Sequence, residues 1–121
     1  MPTNTGVEGT EAAVKIARRW AYEVKGVPNN KAKVLFAAGN FWGRSIAACG
    51  SSDDPDRFYH FGGYGMDFHL IPYGEADKLK AFVESDPTVA AFVVEPVQGE
   101  GGVIIPPENY LKECHEICKK N

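Results

Sequence analysis

One apolar run, Val89-Ala90-Ala91-Phe92-Val93-Val94, sets the architecture of this chain. Apolar residues without alternation are typical of a strand that is buried on both faces, as in the parallel sheets of α/β proteins. Glu95 and Pro96 follow at once and begin a glycine-rich segment that reaches Gly102. We therefore expect this strand to deliver polar groups to the carboxyl edge of a sheet.

Further strands are predicted on the N-terminal side of this run. Short apolar runs at 34–38 and 68–72 each predict a strand. Residues 45–49 are small and apolar and predict a short helix, whereas the polar, aromatic and glycine-rich residues 51–67 predict a long loop.

Three longer segments repeat apolar residues at helical spacing, and they predict amphipathic helices over 9–25, 74–84 and 108–120. The apolar face expected in the first helix consists of Ala13, Ile16, Ala17, Trp20 and Val24. The faces expected in the other two are Ala76, Leu79, Phe82 and Val83, and then Tyr110, Leu111, Cys114, Ile117 and Cys118. The order of elements predicts an α/β fold, a mostly parallel sheet with flanking helices, as a single domain over residues 1–121.

Composition excludes several classes of function. The chain has 121 residues, 44% of them hydrophobic and 24% charged, with a net charge of −3. We expect no nucleic-acid partner, because no basic cluster is dense enough to follow a phosphate backbone. We expect no membrane partner, because no apolar run approaches the roughly 20 residues of a span and the polar N-terminus does not resemble a signal peptide. Three cysteines do not make a disulfide framework and favour a reducing compartment.

Three glycine-marked segments, Asn4–Glu8, Gly39–Arg44 and Glu95–Gly102, are the candidate ligand-binding segments. Ligands of such sheets bind outside the carboxyl ends of the strands. The first segment precedes a helix whose free amides attract a phosphate, and Gly6 permits close approach. An ordinary N-cap is the alternative.

The other two segments carry aromatic and charged side chains. In the second, aromatic rings can stack on a flat cofactor and Arg44 can bind a carboxylate through two parallel hydrogen bonds; a packed corner with a solvated arginine is the alternative. In the third, Glu95 and Glu100 can hold a ring nitrogen, an amine or an arginine; a solvated loop is the alternative.

A metal site is not predicted. Cys114, His115 and Cys118 are close in sequence, but His115 points away from the two thiols on a helix and no second ligand pair exists. We interpret these cysteines as packed thiols.

Taken together, the three segments resemble motifs of the class III aminotransferases, fold-type-I enzymes that depend on pyridoxal 5′-phosphate. Asn4-Thr5-Gly6-Val7-Glu8 is similar to their phosphate-binding turn. Phe36 to Arg44 and Val94 to Val103 are similar to two motifs of the members that act on ornithine. The resemblance extends from Pro2 to Lys120 and implies part of the cofactor-binding large domain of that fold.

The resemblance implies a role for each matched position. The backbone at Gly6 and Val7 would bind the cofactor phosphate, and Phe41 would stack on the pyridine ring. Arg44 would hold the substrate α-carboxylate. Glu95 would lie near the phenolic side of the cofactor.

Glu100 would mask a second arginine, one that this chain does not contain. The masking would favour the δ-amine of ornithine in the first half-reaction and free that arginine for 2-oxoglutarate in the second. The implied activity is transfer of the δ-amino group of L-ornithine to 2-oxoglutarate, giving glutamate 5-semialdehyde and glutamate. The alternatives are a class III enzyme acting on acetylornithine or 4-aminobutyrate, and a non-catalytic truncated paralogue that serves as an interaction module.

The resemblance also implies the enzyme's surroundings. Its partners would be a small-molecule amino acid and a 2-oxo acid, and the parent would form a homodimer or a higher homo-oligomer. It would act in amino-acid metabolism, including proline biosynthesis, in the mitochondrial matrix of a eukaryote or otherwise in the cytoplasm.

Two departures from the family bear on activity. The chain lacks the Asp that pairs with the pyridinium nitrogen and the Lys that binds the cofactor, so no catalytic residue is expected within it. We therefore expect residues 1–121 to be an internal fragment that is inactive alone. Gly9-Thr10 is a mild departure from the pattern, and Gly62 to Asp67 follows it only loosely.

Overall fold

The computed structural model describes residues 2–62 and 64–121 and confirms the α/β prediction. Gly63, within the predicted loop 51–67, lies outside the described residues. The predicted loop contains one short helix that sequence reasoning missed, α3. In chain order the elements are α1 (Gly6–Glu23), β1 (Lys33–Ala37), α2 (Ile46–Gly50), α3 (Pro55–Phe58), β2 (Phe68–Ile71), α4 (Ala76–Ser85), β3 (Val89–Val93) and α5 (Tyr110–Lys120).

The three strands form one parallel sheet in the order β2-β1-β3. The central strand is β1, in which Val34, Leu35, Phe36 and Ala37 are all fully buried. The prediction that the 89–94 run is buried on both faces is wrong for this chain: β3 lies at an edge of the described sheet, and only Val89 in it is buried. A strand with one neighbour leaves its other side uncovered, so its side chains are only half-buried.

Alternate residues of β1 face two different hydrophobic layers. Leu35 packs with Leu79, Tyr110 and Cys114, under α4 and α5. On the opposite face, Val34 and Phe36 pack with Val14 of α1, and with Trp42 and Phe68. One five-residue strand therefore holds both helical layers in place and fixes the position of its own carboxyl end.

The first helix buries a face other than the predicted one. It buries Val14 and Ala21, whereas Ile16, Trp20 and Val24 are 65%, 47% and 70% exposed. Both sets of residues recur at helical spacing, so the pattern alone does not choose between them. The observed face carries the smaller side chains, which lets the helix lie close to the sheet.

The other helices follow their predicted faces more closely. In α4, Ala76, Leu79 and Val83 are buried as predicted. In α5, Tyr110 and Cys114 are buried and Ile117 packs beside them, but the predicted Leu111 and Cys118 are exposed. Among the described residues, no helix is both long and apolar enough to cross a membrane.

Candidate active-site cleft

The N-terminus of α1 and the carboxyl ends of β1 and β3 border a cleft of about 630 Å³. Five of the six site residues predicted from the sequence line this cleft: Gly6, Val7, Phe41, Arg44 and Glu95. Parallel strands bring their carboxyl ends to one edge, so residues far apart in sequence meet there. The sixth residue, Glu100, is exposed and is not among the described residues that line this cleft.

The start of α1 is held by a capping box. The Oγ1 of Thr5 accepts from the amide of Glu8 at 3.3 Å, and the Glu8 carboxylate accepts from the amides of Asn4 and Thr5 at 2.8 and 3.1 Å. The amides of Gly6 and Val7 lie in the first turn, where a helix offers them no acceptor. A Cβ at Gly6 would meet nothing within 4 Å, and Gly6 and Val7 both line the cleft, so this helix start is accessible to an anion.

The loop after β1 presents the Phe41 ring to the cleft. Two guanidinium groups lie over this ring, with Cζ of Arg44 at 5.2 Å and Cζ of Arg57 at 4.4 Å from its centroid. The neighbouring Trp42 is fixed from behind: it stacks on Phe36 at 5.6 Å, and its Nε1 donates to Ser51 Oγ at 2.8 Å. The loop is therefore anchored to the core while its aromatic face lines the cleft.

Two contacts set the spacing between this loop and α1. Gly43 has φ +143°, and a Cβ there would lie 2.5 Å from Cγ2 of Val7, so only glycine allows the loop to pass this close. Ser45, the N-cap of α2, donates to the Glu11 carboxylate of α1 at 2.6 Å. The open amides of α1 and the Phe41 ring are thereby held in one cleft.

Glu95 joins the two loops that follow β1 and β3. Its Oε1 accepts from the Phe41 amide at 2.8 Å, and its Oε2 accepts from the Gly99 amide at 3.2 Å. The Tyr73 hydroxyl donates to the Glu95 carbonyl at 3.0 Å. Burial raises the pKa of Tyr73, which keeps this hydroxyl protonated as a donor. In this structure the Glu95 carboxylate orients backbone, a role that sequence reasoning did not assign to it.

The segment around Glu100 forms a closed turn. Gln98 and Ile104 exchange both backbone hydrogen bonds, at 2.9 and 3.0 Å. The Gln98 side chain is buried, and its amide donates to the Ala38 carbonyl at 2.7 Å. Glu100 stands exposed on this turn. Because its expected arginine partner is not a residue of this chain, the masking role of Glu100 stays a prediction.

The contacts that three residues contribute to the site were missed in the sequence, although Asn40 lies within the candidate segment 39–44. Asp53 accepts from the Gly39 amide through both carboxylate oxygens, at 2.9 and 3.1 Å. Asn40 is buried and donates to the carbonyls of Ala37 and Ser51. Arg57 projects from α3 onto the Phe41 ring. The Asp-Pro pair that begins α3 is a helix-start signal, but nothing in the pattern pairs that helix with the loop after β1.

The cysteine-containing helix offers no metal geometry. In the part of the chain that the structure describes, no three His, Cys, Asp or Glu side chains gather into a group able to hold a metal ion. Cys114 is buried in the core and Cys118 is exposed. Burial raises the pKa of the Cys114 thiol, so that cysteine packs as a neutral side chain.

Comparisons with known proteins agree over the whole chain. The family model described as Aminotransferase class-III matches residues 1–121. A probable mitochondrial ornithine aminotransferase of Caenorhabditis elegans is 53% identical over 120 residues, which are 99% of this chain and 28% of that protein. The ornithine aminotransferase of Bacillus subtilis is 47% identical over 120 residues, 99% of this chain and 29% of that protein.

A solved structure shares the fold as well as the sequence. It is an ornithine aminotransferase from Toxoplasma gondii, described as having partial occupancy of PLP at its active site. It has a TM-score of 0.95 and 50% identity, over 98% of this chain and 28% of that one. The chain therefore spans less than a third of the length of each of these relatives.

Proposed function

The chain belongs to the class III aminotransferases, and on that ground we propose that it is the cofactor-binding part of an enzyme that transfers the δ-amino group of L-ornithine to 2-oxoglutarate. The products are glutamate 5-semialdehyde and glutamate. The observation that carries the proposal is the convergence of open helix amides, an aromatic ring and an arginine on one cleft.

The cleft fits pyridoxal 5′-phosphate group by group. The Gly6 and Val7 amides at the positive end of α1 would hold its phosphate. The Phe41 ring, whose backbone is fixed by Glu95, would stack on its pyridine ring. Glu95 would lie toward its phenolic side. When bound, this cofactor supplies the electron-withdrawing ring that lets an amino group be transferred.

Arg44 is suited to the substrate carboxylate. It is exposed in the cleft, and among the described residues no carboxylate forms an ion pair with it, whereas Arg57 beside it is paired with Asp54 at 3.1 Å. A guanidinium binds a carboxylate through two parallel hydrogen bonds. Holding the α-carboxylate of ornithine at Arg44 leaves the far end of the substrate, the δ-amine, to reach the cofactor.

Glu100 would set the order of the two half-reactions. Paired with an arginine from elsewhere in the enzyme, it would keep that arginine from binding a second carboxylate while ornithine is present. A dicarboxylate such as 2-oxoglutarate competes for the same arginine, so the pair would open in the second half-reaction.

The complete gene product that contains residues 1–121 tests the proposal directly. It is incubated with pyridoxal phosphate and 2-oxoglutarate, and with ornithine, acetylornithine or 4-aminobutyrate as the donor. We expect glutamate 5-semialdehyde from ornithine at the highest kcat/KM. Preference for another donor would identify a different class III enzyme, and no turnover with any donor would favour the non-catalytic paralogue.

The cellular setting is proposed on the same basis. The partners are a small amino acid and a 2-oxo acid, and the enzyme is a homodimer or a higher homo-oligomer. The nematode relative is named mitochondrial. A eukaryotic source therefore favours the mitochondrial matrix, and a bacterial source the cytoplasm. The semialdehyde product places the enzyme in amino-acid metabolism, with proline biosynthesis as one outlet.

A further inference from the structure

We propose that Arg57 is a positioning residue for Phe41, which fixes the direction of the ring that faces the cofactor. The proposal rests on the proposed function for what the ring touches. Arg57 comes from α3, an element that the other site residues do not share.

The argument begins with a single peptide unit, the one between Asn40 and Phe41. Its carbonyl oxygen, that of Asn40, accepts from Nη1 of Arg57 at 3.2 Å. Its N–H, that of Phe41, donates to Glu95 at 2.8 Å. The two bonds hold opposite sides of one rigid plane, so together they fix its rotation. The rotation of this plane sets φ of Phe41 and hence where its ring points.

The same guanidinium also contacts the ring itself. The Cζ of Arg57 lies 4.4 Å from the Phe41 ring centroid, closer than that of Arg44 at 5.2 Å. The Nε of the same guanidinium forms an ion pair with Asp54 at 3.1 Å. A planar guanidinium can stack and donate in several directions at once, and lysine cannot reproduce that geometry.

Arg57 acts through the loop rather than on a ligand in the cleft. It lines a separate cavity of about 260 Å³, together with Arg44, Cys49 and Phe61. Among the described residues, those that line the larger cleft include Phe41 and Arg44 but not Arg57. Its absence from that lining and its ion pair with Asp54 make Arg57 a support for the ring, and leave Arg44 as the group for substrate.

The test compares Arg57→Gln with Arg19→Gln in the complete gene product. Arg19 also forms a pair with a carboxylate on the same helix, Glu23 at 2.8 Å, but its side chain is 77% exposed on α1 and it does not line the cleft. Hydrogen exchange is measured first in the cofactor-free protein. We expect residues 39–44 to exchange about tenfold faster in Arg57→Gln and to be unchanged in Arg19→Gln.

Cofactor affinity is measured second, by quenching of Trp42 fluorescence during titration with pyridoxal phosphate. Both variants carry Trp20→Phe, so that Trp42, which lines the cleft, is the only tryptophan of residues 1–121; further tryptophans in the gene product are replaced in the same way. We expect about tenfold weaker binding in Arg57→Gln only. Arg57→Lys restores the charge without the planar group and should recover part of both effects.

Each outcome decides between the proposals. Equal exchange of residues 39–44 in the Arg57→Gln and Arg19→Gln proteins overturns the positioning role, and so does faster exchange spread over α4 and α5, which would mean general destabilisation. Failure of the unsubstituted protein to bind pyridoxal phosphate overturns the proposed function instead. In that case the exchange measurement still decides whether Arg57 holds the loop.

Discussion

Gly43 is the cleft residue at which a side chain is least tolerated. Its φ of +143° strains any other residue, and a Cβ would collide with Val7. We expect Gly43→Ala to lower the free energy of unfolding by about 2–3 kcal/mol and to weaken binding of pyridoxal phosphate.

Gly26→Ala is the matched control for Gly43→Ala. Gly26 also has a positive φ, +78°, but a Cβ there would meet nothing within 4 Å. The control therefore carries backbone strain without the collision, and denaturant unfolding measures both variants. Equal losses in the two proteins would show that contact with Val7 does not matter.

Arg44 gives a second prediction at the residue scale. In the complete enzyme, Arg44→Ala should weaken ornithine by about 2–4 kcal/mol, because a charge-assisted bidentate contact is lost. Affinity for pyridoxal phosphate should change far less. Steady-state kinetics and a cofactor titration separate the two effects, and an unchanged KM for ornithine would reject the role assigned to Arg44.

Glu100 is expected to govern which amine reacts. Glu100→Ala should leave δ-transfer possible but allow α-transfer as well, because the arginine expected to pair with it would be free to hold the α-carboxylate. Proton NMR of the products distinguishes the two isomers, because only δ-transfer leaves a hydrogen on the carbon that loses its amino group. Transfer from the δ position alone would count against the masking role.

At the scale of elements, an ion pair joins the start of β1 to the turn between α4 and β3. Lys33 Nζ lies 2.5 Å from Asp86 Oδ2, and Asp86 Oδ1 also accepts from the amide and hydroxyl of Thr88. The hydrogen bonds from Lys33 and Thr88 lower the pKa of Asp86 to about 2. The hydrogen bond with Asp86 raises the pKa of Lys33.

The direction of these pKa shifts predicts how stability depends on pH. A lowered carboxyl pKa stabilises the folded state above the unfolded pKa near 4, and this contribution is lost as the pH falls toward 2. The raised pKa of Lys33 stabilises the folded state at lower pH instead, and this contribution is lost only as the pH rises above about 10.5. Asp86→Asn should reduce the loss in free energy of unfolding at acid pH, which urea unfolding at a series of pH values measures. The same acid-induced loss in both proteins would contradict the assignment.

Sequence patterns predicted the positions of helices and strands better than they predicted which face of a helix is buried. The face of α4 was predictable because only one set of residues in it is apolar. In α1, two apolar sets recur at helical spacing, and packing against the sheet chose Val14 and Ala21. The meeting of Phe41 and Glu95 at one edge was predictable because parallel strands end there, whereas the roles expected of single residues came from the family resemblance. The contacts of Arg57, Asn40 and Asp53 were not predictable, since a side chain that bonds to a distant backbone group leaves no periodic pattern.

At the scale of the whole molecule, apolar surface is left uncovered. Trp20 borders a groove with Val89, Ala90 and Ala91 at the edge of β3, and Ile16 lies one turn away on α1. Edges of this kind recruit other chains. We expect residues 1–121 expressed alone to be a marginal monomer that self-associates.

Sedimentation of the purified chain measures this association. Ile16→Glu should shift the population toward monomer, whereas Ile105→Glu should not, although Ile105 is 76% exposed and equally apolar. A cooperatively melting monomer at high concentration, without any substitution, would mean that the described sheet is stable with β3 at its edge.

The isolated chain should also lack activity. Among the described residues that line the cleft, none is a lysine. Class III chemistry needs a lysine that binds the cofactor, so the chain mixed with pyridoxal phosphate, ornithine and 2-oxoglutarate should form no semialdehyde. Turnover above that of a heat-killed sample would contradict this expectation.

The bonding of the loop after β1 has a consequence for protein engineering. Its backbone is satisfied by side chains from three other places: Asp53 bonds Gly39, Arg57 bonds Asn40 and Glu95 bonds Phe41. A graft of residues 39–44 into a foreign scaffold would therefore carry the aromatic ring without the groups that aim it. The smallest transplantable unit is discontinuous, and it must bring Asp53, α3 and the first residues after β3 along with the loop.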